Sequence, residues 1–191
     1  MALAKYDHRR EMLVADSNSI GDFYTCASLL NEPVRTKLQG VIREYTRLRL
    51  DLARQSVSGA EVSAALGTFP KMHNEMTLLV GEALAEGTPI AIPLTNTLNN
   101  LTSAHAARLV AIRDRLPESV VLLLFFAGAI STMLVGREQG SSEKPPLTGT
   151  MSFLLLVTLV VFVILDLNDP VKGLITVSQE PMQRVLESMG K

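Results

Sequence analysis

Between Ser119 and Gly136 the chain reads SVVLLLFFAGAISTMLVG, and between Leu147 and Leu165 it reads LTGTMSFLLLVTLVVFVIL. These stretches, 18 and 19 residues long, contain no charged side chain. At 1.5 Å of rise per residue, helices of such length reach about 27–29 Å, close to the roughly 30 Å hydrocarbon core of a bilayer. Both are apolar on every side, without the polar stripe of a surface helix. Two core helices of a soluble bundle would share that property. The connector argues against them, because Arg137 to Pro146 (REQGSSEKPP) has the Gly, Ser and Pro content of a turn between antiparallel spans. The reading is a transmembrane hairpin, residues 119–165, with spans 119–136 and 147–165 and connector 137–146.

The flanks set its orientation. Arg108, Arg113 and Arg115 precede the first span, Lys172 and Arg184 follow the second, and the connector holds only Arg137 and Lys144. By the positive-inside rule both the N-terminal region and the C-terminal tail are expected in the cytoplasm, which makes the chain a multi-pass protein of the cytoplasmic (inner) membrane. Met1 to Arg10 has no apolar core of a secretory signal, in keeping with that orientation. The spans carry no Asp, Glu, Lys, Arg or His, the residues that usually mark an ion path or a proton relay. Small residues recur at packing intervals, Ala127 with Ser131 and Gly128 with Thr132, and are expected where helices approach closely.

Composition narrows the function classes. Of 191 residues, 47% are hydrophobic and only 19% charged, with a mean hydropathy of +0.25. That excludes a disordered chain. Eighteen Lys and Arg against 19 Asp and Glu leave a net charge of −1, so no nucleic-acid partner is expected. The single cysteine, Cys26, excludes an internal disulfide and a multi-cysteine metal site.

Residues 1–118, with 13 basic and 13 acidic side chains, read as a helical cytoplasmic region. Leu3, Tyr6, Leu13, Ile20, Tyr24 and Ala27 form one helical stripe. Asn31-Glu32-Pro33 supplies a cap residue, an acid and a proline at a helix start. Val34, Leu38, Val41, Tyr45, Leu48 and Leu52 form a second inner face. After a turn over residues 55–60, Val62, Leu66, Phe69, Met72, Met76, Leu79 and Ala83 continue a third, with Pro70 as an expected kink and Gly87 as its stop. Leu94, Leu98, Leu101, Val110 and Ile112 mark a fourth, running to Leu116. Cys26, Met72 and Met76 are expected in the core. His8, His73 and His105 lack metal-ligand spacing and read as polar helix surface. Arg43, Arg47 and Arg54, with Asp51 between them, read as a solvated face. No phosphate loop and no catalytic carboxylate pair is present, so an enzyme is not expected, nor a catalytic residue, a cofactor or a bound metal.

Residues 166–191 read as a cytoplasmic tail. Two aspartates at the end of the second span oppose the helix dipole and need compensation. An interfacial cluster of Arg113, Arg115, Asp166 and Asp169 is the expected answer. Beyond Ser178 a short amphipathic helix is expected, with Met182, Val185, Leu186 and Met189 on one face.

Three groups of residues together resemble a known family: Ala4-Lys5-Tyr6-Asp7-His8-Arg9-Arg10-Glu11 with Ile20-Gly21; Leu98-Asn99 through His105 and Arg108 to Arg115-Leu116-Pro117; and Leu165-Asp166-Leu167-Asn168-Asp169-Pro170, Gly173-Leu174-Ile175 and Val177-Ser178-Gln179-Glu180-Pro181. Their order resembles the bestrophin-like domain family of integral membrane proteins, and covers nearly the whole chain. The resemblance implies a further transmembrane pair ahead of Tyr6-Asp7, which this chain is expected to lack. It also implies kinship to bestrophins, which are pentameric anion channels, and so a homo-oligomer in the lipid bilayer handling an unidentified anion. The fold expected is all-α: a long-helix cytoplasmic bundle, a two-helix transmembrane hairpin and a short amphipathic C-terminal helix. Two functions stay open, a subunit of an oligomeric anion channel or transporter, and a membrane-tethered helical interaction or scaffold module without transport activity.

Overall fold

The computed structural model describes residues 2–54, 59–114, 117–140, 147–168 and 175–190. Among them are seven helices and no strand: α1 (Ala2–Ala27), α2 (Val34–Arg54), α3 (Gly59–Ala85), α4 (Ala91–Arg113), α5 (Glu118–Gly140), α6 (Leu147–Asn168) and α7 (Glu180–Ser188). The all-α expectation holds. The chain divides into two compact units, one of Asp7–Arg113 with Val177–Lys191, the other of Met1–Tyr6 with Asp114–Thr176.

The first unit is a helical bundle whose core follows the stripes of the sequence. Helix α2 buries Val34, Leu38, Val41, Ile42 and Tyr45, and Leu48 and Leu52 pack partly against the same core. Helix α3 contributes Phe69, Met72, Met76, Leu79 and Ala83, and α4 contributes Leu94, Leu98, Leu101 and Ala111. Cys26 is buried beside them. Steps of three and four along each helix bring these side chains to one face, and their removal from water drives the assembly. Two expected core residues are instead exposed, Leu3 at 64% and Val110 at 67%. Leu3 belongs to the other unit, and the inward stripe of α4 runs through Ala111, a rotation of about 100° from Val110.

Helix α3 ends as its glycine predicts. Gly87 has φ +76°, its N–H donates to the Leu84 carbonyl (3.1 Å) and the next N–H, of Thr88, to that of Ala83 (3.3 Å). This is a Schellman stop, which needs a left-handed residue. Gly87→Ala is expected to lower the unfolding free energy by about 1–2 kcal/mol, read as a shift of the denaturation midpoint of the detergent-solubilised chain. Helix α7 is nine residues long, too short to be stable alone. It forms because Met182 and Met189 are fully buried in the core and Val185 and Leu186 pack on it, the face expected from the sequence.

The second unit holds the hairpin. Ser119–Arg137 on α5 and Thr148–Asn168 on α6 are long and apolar enough to cross a membrane, and neither window is buried by protein. Core helices of a soluble bundle would be enclosed. The two helices pack along a seam of half-buried residues, Val121, Leu124, Gly128, Ser131 and Val135 on α5, and Phe153, Val157, Val161 and Ile164 on α6. Steps of three and four bring these residues to one face of each helix. The remaining faces are exposed apolar side chains such as Phe125, Phe126, Leu155 and Phe162.

Candidate functional site

In the bundle, four helices each bring polar residues to the inner face. Asp16 lies three residues beyond Leu13 and four before Ile20, so its carboxylate follows the apolar stripe of α1 inward. Arg49 stands four residues after Tyr45 on α2. On α4, His105 and Arg108 continue the line of Leu94, Leu98 and Leu101. His73 stands four residues after Phe69 on α3.

The result is a buried ionic cluster. Asp16 is 0% exposed, Arg49 7% and Arg108 9%. Arg49 donates through Nη1 to Asp16 Oδ1 (2.9 Å) and pairs through Nη2 with Oδ2 (2.8 Å). Arg108 Nη1 reaches the same Oδ2 at 2.9 Å, and its Nη2 donates to Gln179 Oε1 at 3.0 Å. Two guanidiniums therefore share one carboxylate, leaving a local excess of one positive charge. Arg9, also buried, donates from Nε to the Ala111 carbonyl (3.3 Å). Burial holds the Arg108 pKa below its ordinary value, with Arg49 adding to the effect and Asp16 opposing it.

An aromatic group adjoins the charges. Arg49 Nη1 also donates to the Tyr45 hydroxyl (2.7 Å), and its guanidinium sits 5.2 Å from the centre of that ring. The Tyr45 hydroxyl lies 3.2 Å from His105 Nδ1. His73 packs 5.2 Å from both the Tyr45 and the His105 rings, and Phe69 5.5 Å from Tyr45. Burial pushes the Tyr45 pKa up to about 12. Burial, then Arg49 and His73, holds His105 down to about 4.

These positions correct three readings of the sequence. His8 is exposed, as expected, but His73 and His105 are half-buried and in ring contact, because each stands one turn beyond a core residue. Of the arginine stripe, Arg47 and Asp51 are exposed, while Arg43 turns inward and donates to the Tyr24 hydroxyl (3.0 Å) and the Met189 carbonyl. Tyr24 also donates to that carbonyl (3.1 Å), so both hold the end of α7. The Arg54 side chain lies outside the described residues. Asp16 and Arg49 had drawn no attention in the sequence.

The residues singled out for function are placed as follows. Asp166 is half-buried, and its Oδ2 accepts the Ile175 N–H at 2.9 Å. Arg115, Asp169 and the Arg113 side chain lie outside the described residues. Gly128 and Ser131 are on the α5–α6 seam, and a Cβ on Gly128 would meet Val157 Cγ1 at 3.6 Å. Ala127 and Thr132 are exposed beside it. Ser131 and Thr132 donate their hydroxyl protons to the carbonyls of Ala127 and Gly128 (2.7 and 2.8 Å), so neither brings an unsatisfied donor into an apolar setting.

Chemically, the cluster suits cohesion. Asp16 is saturated by two guanidiniums, and among the described residues no three His, Cys, Asp or Glu groups stand where they could hold a metal ion. Residues from separate stretches that carry the family resemblance meet here: Arg9 of α1 on the Ala111 carbonyl of α4, His105 and Arg108 on the inner face of α4, and Gln179 on Arg108. The family model described as the Bestrophin-like domain matches residues 2–182, from α1 through both apolar helices and into α7. No curated protein matches the chain, and no solved structure does.

Proposed function

Because the chain belongs to the bestrophin-like domain family, we propose that it acts as one subunit of an oligomeric anion channel or transporter of the cytoplasmic membrane, with both termini on the cytoplasmic side. The observation that carries this reading is the family match across both spans and the bundle. Two helices cannot surround a path by themselves, so conduction requires further helices, which neighbouring copies of the hairpin would supply in an oligomer. The exposed apolar faces of α5 and α6 are available to lipid and to neighbouring copies. The reading includes no catalytic step, in keeping with a buried cluster whose charged groups are engaged with one another.

A second reading, a membrane tether for a helical interaction module, is favoured by the absence of any ionisable side chain from residues 119–136 and 147–165. Chloride flux into proteoliposomes separates the two. A subunit of a channel or transporter gives flux above that of protein-free vesicles, rising more steeply than linearly with protein per vesicle. Absence of flux at every loading, with the protein folded and inserted, leaves the tether.

A further inference from the structure

The hydrogen bonds around Tyr45 have a direction. An arginine can only donate, so the Tyr45 hydroxyl accepts from Arg49 Nη1, and its own proton is free for His105 Nδ1. His105 Nδ1 is then the terminal acceptor of a chain that starts at Arg49. The neighbouring imidazole is fixed as well. His73 Nδ1 faces the Phe69 carbonyl at 3.0 Å, and a carbonyl only accepts, so Nδ1 carries the proton. His73 Nε2 is buried and without a hydrogen-bond partner.

The geometry points to a proton-operated switch at His105, in which protonation of Nδ1 reverses its contact with Tyr45 and loosens α4 from α2. A proton arriving from solvent on Nδ1 puts two hydrogens between the ring nitrogen and the hydroxyl. Tyr45 must then accept from both Arg49 and His105, and its own hydrogen has to find another partner. The new charge faces groups on every helix packed around it: Arg49 and Tyr45 on α2, Arg108 on α4, His73 on α3 and Asp16 on α1. Asp16 alone is negative, and it is already shared by the two arginines. The imidazolium is therefore driven away from the cluster, along with the segment of α4 that also bears Arg108.

The pH window follows from the sign of the shift. The folded-state pKa of His105 is depressed to about 4 from an ordinary 6.5. Its neutral form thus favours the closed bundle in full above pH 6.5, and this contribution is lost as the pH falls from 6.5 to 4.

The test uses the full chain in lipid nanodiscs, comparing wild type with His105→Asn, whose side-chain oxygen can accept from Tyr45 but does not titrate. His8→Gln serves as an exposed-histidine control. Between pH 6.5 and 4 the melting temperature of wild type and His8→Gln should fall by several degrees more than that of His105→Asn. Histidine carbon-13 NMR of the wild type, which needs no variant to fold, should show His105 as the Nε2–H tautomer at neutral pH, its protonation delayed well below the ordinary 6.5. Parallel melting curves for wild type and His105→Asn would overturn the proposal. So would a His105 that titrates at the ordinary 6.5.

Discussion

Asp16→Asn is expected to lower the unfolding free energy of the bundle by about 3–5 kcal/mol. The change preserves shape and removes one charge. It leaves Arg49 and Arg108, 7% and 9% exposed, with no anion between them. Two buried guanidiniums then repel each other in a medium that screens poorly. Chemical denaturation in a mild detergent, followed by helical circular dichroism, gives the number. The control is Lys5→Ala, which removes the more exposed Lys5–Asp114 pair (2.6 Å) and should cost no more than about 1 kcal/mol. Replacing Asp16, Arg49 and Arg108 together by leucine should recover most of the loss, since the penalty comes from the unpaired charges. A mild effect of Asp16→Asn would mean that water reaches the cluster.

Met182→Asp should detach α7 from the bundle. Met182 is 0% exposed and is the only residue of α7 proper that is fully buried. Its truncation to alanine would cost about 2–5 kcal/mol through lost contact and cavity formation. A carboxylate in the same place adds its own desolvation. A helix of nine residues has little stability of its own, so the segment from Val177 onward should lose order as a unit. Limited proteolysis would then cut within residues 177–190 while α1 to α4 stay protected. If α7 remains protected, the hold of Arg43 and Tyr24 on the Met189 carbonyl is sufficient without the methionine anchor.

The hairpin and α7 were legible in the sequence because each declares itself locally. An uncharged run of 18 or 19 residues needs no knowledge of its neighbours, and the spacing of Met182, Val185, Leu186 and Met189 describes one helical face. The cluster was hidden by a rule that assigns charged side chains to solvent. Asp16, Arg49, His105 and Arg108 are each in phase with an apolar stripe, and that phase was the available signal. Periodicity shows that a residue points inward, but not which residue of another helix it meets. Asp16 and Arg108 are 92 positions apart, and their pairing is a property of the packed bundle. Val110 failed for the converse reason, since an apolar residue one position off the stripe is turned outward despite its chemistry.

The uncharged runs 119–136 on α5 and 147–165 on α6 are 18 and 19 residues long, bounded at their ends by Arg137 and Asp166. Their hydrophobic lengths match them to their surroundings, at about 27 Å for the shorter and about 28 Å for the longer. A bilayer within that range accepts both nearly upright. A thinner one forces the pair to tilt together, and a thicker one strains the shorter helix first. Lipid thickness, varied by acyl-chain length, is thus a natural variable for this protein, and its sorting among membranes should follow it.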